Sequence, residues 1–252
     1  MHIDAVIDTL LNARHTLGAS DATAFAQAVT TADDAYLVQT ALANELGWFD
    51  DGPARYWKSG GASRSAVMTH APLPPTGVWA SPADARPWPF RLRFIEAEIA
   101  LRLARPVDAA LAAGLDMASA AVLIDAMTVS IEIVDSRWQQ AFKAPALLRL
   151  ADLQSHGALV LGEWVGFEPR DWLAQACRVQ IGERVTDYRG THSCGDPAWV
   201  LPEWLRHATR DGVVLPAGSV VTTGTWCGAL EAQAGDKVSA QFDGIGQATV
   251  RF

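Results

Sequence analysis

The sequence predicts an α+β fold, because amphipathic helical segments come first and a run of strands follows with few helices between them. Length and composition agree with that class. At roughly 150 residues per domain, 252 residues make one large unit or two intimately packed ones. Half of the residues are hydrophobic, 19% are charged and the mean hydropathy is +0.09, which excludes disordered, collagen-like and coiled-coil chains.

Ile3, Val6, Ile7, Leu10, Leu11 and Leu17 recur at three- and four-residue spacing and predict a first helix, with Gly18 as its stop. Thr31 is placed to cap a second helix, with Asp34 in its first turn, Val38, Leu42 and Leu46 as its buried stripe and Gly47 at its end. From Asp50 to Pro89 the text is rich in Gly, Pro and Ser, so loops and short strands are expected there, in a segment of the kind that carries function. RLRFIEAEIALRL and AVLIDAMTVSIEIVD read as β-rich, with a helix at Ala109–Ala113 between them. ALVLGEWV, CRVQIGERV, SVVTTGTW and KVSAQFDGIGQATVRF add strands, the last a hairpin turning at Asp243-Gly244, and PAWVLPEWLRHATRDG reads as helical after Pro202. No repeat or long linker divides the chain. The expected organisation is an N-terminal helical portion plus active-site loop over 1–75, packed as one unit against a β-rich core over 76–252.

With 20 Lys+Arg against 28 Asp+Glu, the net charge is −8 and the isoelectric point about 5.2, so general attraction to nucleic acid or anionic membranes is not expected. MHIDAVIDTLLNAR does not read as a signal peptide, and no stretch approaches the ~18 uncharged apolar residues of a membrane helix. A soluble, cytoplasmic protein is the expectation, with neither nucleic acid nor membrane as partner. Cys177, Cys194 and Cys227 are three in number, widely spaced and without a CxxC, and read as structural thiols.

Glu96 and Glu98 stand two apart in RFIEAEIAL, so in a strand they share a face while Ile95, Ala97 and Ile99 take the other. Glu132 repeats the arrangement between Ile131 and Ile133. A carboxylate in an apolar strand must be paired, protonated or bound to a cation, and three together suit a hard divalent ion such as Mg²⁺ or Mn²⁺. The same alternation also serves the solvent face of a one-sided sheet.

IEAEIAL, followed some thirty residues later by SIEIVDSR, resembles the metal-binding text of the fumarylacetoacetate hydrolase superfamily, in its 2-keto-4-pentenoate hydratase and 4-oxalocrotonate decarboxylase branch. TADDAYLVQ resembles that branch's helical opening, ADLQSHGALVLG its central strand, and VVTTGTWCG with AGDKVSAQFDGIGQATVRF its C-terminal signature. The resemblance implies a mixed, strongly curved β-roll with peripheral helices, an oligomeric assembly, and Glu96, Glu98 and Glu132 as metal ligands. It also implies that Lys58, in RYWKSGG, is an active-site lysine, and that Ser155 is a serine able to hold a substrate oxygen. Beside Trp57, a desolvated Lys58 is expected to have a lowered pKa suited to proton transfer.

Thr223, Gly224 and Thr225 form a strand-end turn whose amides and hydroxyls can face an anion, or a plain structural turn. Trp226 reads as a pocket wall or as core, and Arg137 as a partner for a substrate carboxylate or as one half of an ion pair. His70, His156 and His192 have no metal-ligand spacing, and no His–carboxylate pair is identifiable.

Three departures from the resembled family stand out. Lys58-Ser59-Gly60-Gly61-Ala62-Ser63 replaces KIGLTS, Pro75 replaces an acid, and Gly195-Asp196-Pro197 replaces Gly-His-Pro. The metal text is intact while the proton-handling shell is rewritten. The implied activity is metal-dependent hydration of a small 2-hydroxy-2,4-dienoate through an enolate. Its alternatives are decarboxylation of an oxalocrotonate-type 2-oxo acid, fumarylacetoacetase-like C–C hydrolysis, and a non-catalytic member that binds metal or a 2-oxo acid.

Overall fold

The computed structural model describes residues 3–252. Helix α1 (Ile3–Thr16) buries Val6, Leu10 and Ala13. It stops where Leu17 turns to a left-handed φ of +55° and the Gly18 amide donates back to the Ala13 carbonyl. Leu17 is therefore 59% exposed and is not part of the buried stripe that its spacing suggested. Helix α2 (Ala32–Glu45) opens with the expected cap: the Thr31 hydroxyl accepts from the Asp34 amide, and the Asp34 carboxylate accepts from the Thr31 amide.

Short strands β1 (Tyr56–Gly60), β2 (Thr69–Pro72), β3 (Val78–Ala80) and β4 (Ala83–Asp84) occupy the Gly/Pro-rich stretch. The long strands β5 (Phe94–Leu103) and β6 (Ile124–Val134) pair antiparallel, joined through two short helices, α3 (Ala109–Ala113) and α4 (Met117–Ala121). Asp108 and Asp116 cap these helices, and α4 was not anticipated. Helix α5 (Ala146–Ala151), also unanticipated, leads into β7 (His156–Leu161), β8 (Val165–Gly166), β9 (Ala176–Ile181) and β10 (Arg184–Arg189). Helix α6 (Leu201–Ala208) begins just before Pro202, which sits in the first turn where its missing N–H is no loss. Strands β11 (Val220–Thr222), β12 (Leu230–Glu231), β13 (Lys237–Phe242) and β14 (Gly246–Arg251) close the chain, the last two joined by a three-residue turn with Gly244 at φ +70°.

The result is a mixed α+β fold with a strongly curved sheet. One sheet runs β2-β1-β11-β5-β6-β7-β3, with β12 and β8 paired to the ends of β5 and β6. The other runs β10-β9-β13-β14-β4, and its β13 and β14 pack against β6. The strand in ADLQSHGALVLG, β7, lies one in from an edge, and β5 holds the centre. Both faces of β5 and β6 are covered, so the apolar side of each feeds the large core.

A second, smaller core joins α1 and α2 to Trp138 and α5. The buried Gln39 amide reinforces it, donating to the Leu150 carbonyl at 2.7 Å and the His70 carbonyl at 3.2 Å. Residues 3–75 comprise a helical layer together with two strands of the main sheet, β1 and β2.

At Gly162, just past β7, the backbone of one sheet comes close to β14 of the other. A Cβ there would lie 2.5 Å from the Gln247 carbonyl oxygen and 3.1 Å from that of Val129. Gly162→Ala is expected to cost about 1–3 kcal/mol, read as a lower urea midpoint with an unchanged slope.

Candidate metal centre and its cavity

Antiparallel register sets Glu96 directly opposite Glu132, and strand alternation puts Glu98 on the same face one step along, opposite Ser130. One carboxylate oxygen from each of the three glutamates lies within 4.8 Å of the others. Glu132 is fully buried and Glu98 is 2% exposed, which removes the one-sided solvent face as an account of their spacing.

Neighbouring strands supply what holds the acids. From β1, Lys58 donates to Glu132 Oε1 at 2.5 Å and to the Gln154 carbonyl at 3.4 Å. From β7, His156 Nδ1 lies 3.0 Å from the same Glu132 oxygen. From β11, the Thr222 hydroxyl donates to Glu98 Oε2, with Ser130 Oγ 2.9 Å behind it, and the Gly224 amide donates to that same oxygen at 3.1 Å. Gly224 reaches this position at φ +107°, a conformation that favours glycine.

Electrostatics divide the three acids. Burial, and then the charge of Glu132, push Glu96 up to about 7 and Glu98 up to about 8. Glu132 is also opposed by burial, but Lys58 and His156 hold it below the ordinary carboxylate range. Burial acts to lower Lys58, yet the attraction of Glu132, Glu96 and Glu98 outweighs it and the ammonium is held above its ordinary value. The lowered value expected from Trp57 alone is overturned: three carboxylates at close range outweigh one apolar neighbour. One ammonium is too little positive charge to keep all three acids ionised, as the raised Glu96 and Glu98 show, and Glu132 Oε2 is buried without a hydrogen-bond partner. This all-oxygen donor set with an open lone pair fits a hard divalent cation.

Lys58, Glu96 and Glu98 open onto a cavity of ≈ 280 Å³, walled by the segment from Ser59 to Ala62 and by Gln154, Ser193, Thr222, Gly224 and Thr225. The other expected residues lie elsewhere. The Thr223 hydroxyl points into the sheet and donates to the Ile99 carbonyl, while Trp226 packs among Trp172, His192 and Phe242. Ser155 is buried with an unpartnered hydroxyl, and Gln154 takes the wall instead. Arg137 forms a buried pair with Asp152 at 2.5 Å on the border of a different cavity. The Gly224 amide, expected to face a substrate anion, faces Glu98. Thr222, Gln154, Ser193 and the His156–Glu132 pair were not read from the sequence. For Thr222 a signal existed in the strand parity of VVTTGT.

Residues 69–252 match the fumarylacetoacetate (FAA) hydrolase C-terminal family, and the chain belongs to that family. No curated protein sequence matches. Among solved structures, 4-oxalocrotonate decarboxylase from Pseudomonas putida G7, complexed with calcium and acetate, superposes with a TM-score of 0.82 at 19% identity, covering 99% of this chain and 96% of that one. The same enzyme complexed with magnesium and adipate gives 0.82 at 20%, covering 99% and 97%. The 5-carboxymethyl-2-hydroxymuconate delta-isomerase from Mycobacterium smegmatis gives 0.55 at 21%, covering 79% and 78%.

The raised acids carry a sign. A carboxyl whose folded pKa exceeds its unfolded value binds extra protons in the folded state, so its contribution to stability falls as pH rises between the two values. Metal-free Glu98→Gln, which carries no such charge, is expected to gain stability relative to the parent as pH rises from roughly 5.5 to 8.5. Thermal denaturation of both proteins across that range measures the gap, and a gap independent of pH would contradict the raised Glu98.

Proposed function

We propose that the protein is a Mg²⁺- or Mn²⁺-dependent lyase that adds water to a small 2-hydroxy-2,4-dienoate. The observation that carries this reading is Lys58 at 2.5 Å from Glu132, beside Glu96 and Glu98, at a cavity of ≈ 280 Å³. Glu96, Glu98 and Glu132 would hold the ion. When bound, it supplies Lewis-acid stabilisation of negative charge on the oxygens of a 2-oxo acid.

The chain's own residues account for the proton. Lys58 is held as an ammonium, so it begins as an acid. Its Nζ delivers a proton to the distal carbon of the dienol while the 2-hydroxyl proton leaves, giving the conjugated keto form to which water then adds, and the released proton restores the ammonium. The Gln154 carbonyl and Glu132 aim that ammonium. Ser193 Oγ and Thr225 Oγ1 stand on the cavity wall as polar contacts for the chain of the acid, although each also donates to a backbone carbonyl. A lysine turned to solvent would have favoured a non-catalytic binder, whereas the side chain here is 12% exposed. The same reading makes the protein a cytoplasmic homo-oligomer. Among the described residues no helix is long and apolar enough to cross a membrane.

Decarboxylation of an oxalocrotonate-type acid is the second reading, favoured by the full-length likeness to 4-oxalocrotonate decarboxylase. There the same enolate is reached by loss of CO₂, the electron pair of the broken carbon–carbon bond passing to the 2-oxo oxygen, where a proton from the Lys58 ammonium completes the dienol. Hydrolysis has less support, because the His156–Glu132 pair that could activate water does not place His156 on this cavity wall.

The test is metal-stripped protein given 2-hydroxypenta-2,4-dienoate, followed by ultraviolet absorbance before and after Mg²⁺ or Mn²⁺, with 4-oxalocrotonate and CO₂ release run in parallel. Metal-dependent formation of 4-hydroxy-2-oxopentanoate is expected. CO₂ release alone would assign the second reading. Lys58→Met is expected to lower turnover by about 10²-fold or more while still binding the ion, and Glu98→Gln to weaken ion binding by about tenfold or more. Full turnover in Lys58→Met would remove the lysine from the mechanism.

A further inference from the structure

A second cavity, of ≈ 400 Å³, lies where the ends of α1 and α2 meet the segments flanking β5 and β6, and it shares no wall residue with the first. Its charged wall is built from Arg14, Arg91, Arg137 and Asp135, with Asp152 paired to both Arg14 and Arg137. That leaves one positive charge unmatched among these groups. Arg137 and His156 are 7% and 2% exposed. Arg14 stacks its guanidinium 5.0 Å from the Trp48 ring, and Trp48 and Trp88 supply the apolar wall.

Two buried polar atoms in these walls have no partner: Arg14 Nε and His156 Nε2. The first is a donor by nature. The second is an acceptor in the neutral ring, because Nδ1 faces a carboxylate oxygen of Glu132 and must carry the hydrogen. Burial without a partner is costly for both, and one ligand can relieve both.

We propose that this cavity is a second small-molecule site, for a monocarboxylic acid with an apolar, ring-sized body and a hydroxyl group. The carboxylate meets the Arg14 guanidinium edge, the body lies between Trp48 and Trp88, and the hydroxyl donates to His156 Nε2. The volume is in the usual range for such ligands. Through His156 the occupant would touch Glu132 from behind, although the binding claim does not depend on the reaction proposed above.

The probe is 3-phenyllactate, titrated into metal-stripped full-length protein by calorimetry and by fluorescence of Trp48 and Trp88. Saturable binding with a Kd of about 1 mM or tighter is expected, with 3-phenylpropan-1-ol and lactate each weaker by about tenfold or more. Arg14→Met is expected to lose about tenfold or more. Leu17→Asp places a negative charge on the exposed rim in a backbone conformation that Asp tolerates, and is expected to weaken binding while leaving the fold intact. Glu98→Gln should bind 3-phenyllactate as the parent does. Equal binding of the alcohol, no effect of Leu17→Asp, or loss in Glu98→Gln alone would overturn the proposal. So would dissociation of an oligomer by Leu17→Asp in sedimentation, which would make the cavity a subunit contact.

Discussion

Like charges directly opposite each other on paired strands repel, and Glu96 faces the fully buried Glu132 across the β5–β6 pair of the larger sheet. The order of strands reads as the answer to that repulsion. β1, β11, β5, β6 and β7 are consecutive neighbours, and each contributes to one charge cluster: Lys58, Thr222, the glutamate pair, Glu132 and His156 in turn. A lysine on β1 reaches Glu132 on β6 only because the sheet curves enough to bring strands three places apart within side-chain range. Curvature and chemistry are thus the same requirement.

The helical layer is tied to this cluster through a very short stretch of chain. Asp152, at the end of α5, accepts from Arg14 on α1 and from Arg137 after β6, so it clamps the N-terminal helices to the sheet. Two residues further on, the Gln154 carbonyl receives Lys58, and His156 reaches Glu132 two residues after that. Between these anchors Leu153, Gln154 and Ser155 all take left-handed φ values, from +51° to +61°. Each costs roughly 1–2 kcal/mol for a residue with a Cβ. The clamps on both sides hold the turn in place, and the turn aims the carbonyl at the ammonium.

Local rules read well where local forces decide. The Thr31 cap, the stripe of α2 and the acid-bearing alternation of β5 and β6 each follow from a pattern a few residues long. What could not be read sits where a strand ends or long-range charge decides. Thr222 rather than Thr223 faces the glutamates because β11 keeps its parity to the last residue. Gln154 rather than Ser155 meets the cavity because the backbone turns left-handed there, which a run of Leu, Gln and Ser does not announce. Lys58 is held charged by acids lying 38, 40 and 74 positions away. Leu17 fits the helical period but falls just past the point where the helix stops.

The rewritten shell also reads differently once the cavities are placed. Gly60 and Gly61 bring bare backbone to the wall of the metal cavity, and a Cβ on Gly60 would stand 3.8 Å from Gly224 Cα. The missing acid near Pro75 has another address: Pro74, Thr76 and Gly77 border the second cavity, not the first. Pro75 itself is exposed and off the wall, so an acid at this position would add negative charge near the second cavity rather than the first. On the proposal made above, proline at this position spares the second cavity a nearby negative charge that would oppose an anionic occupant.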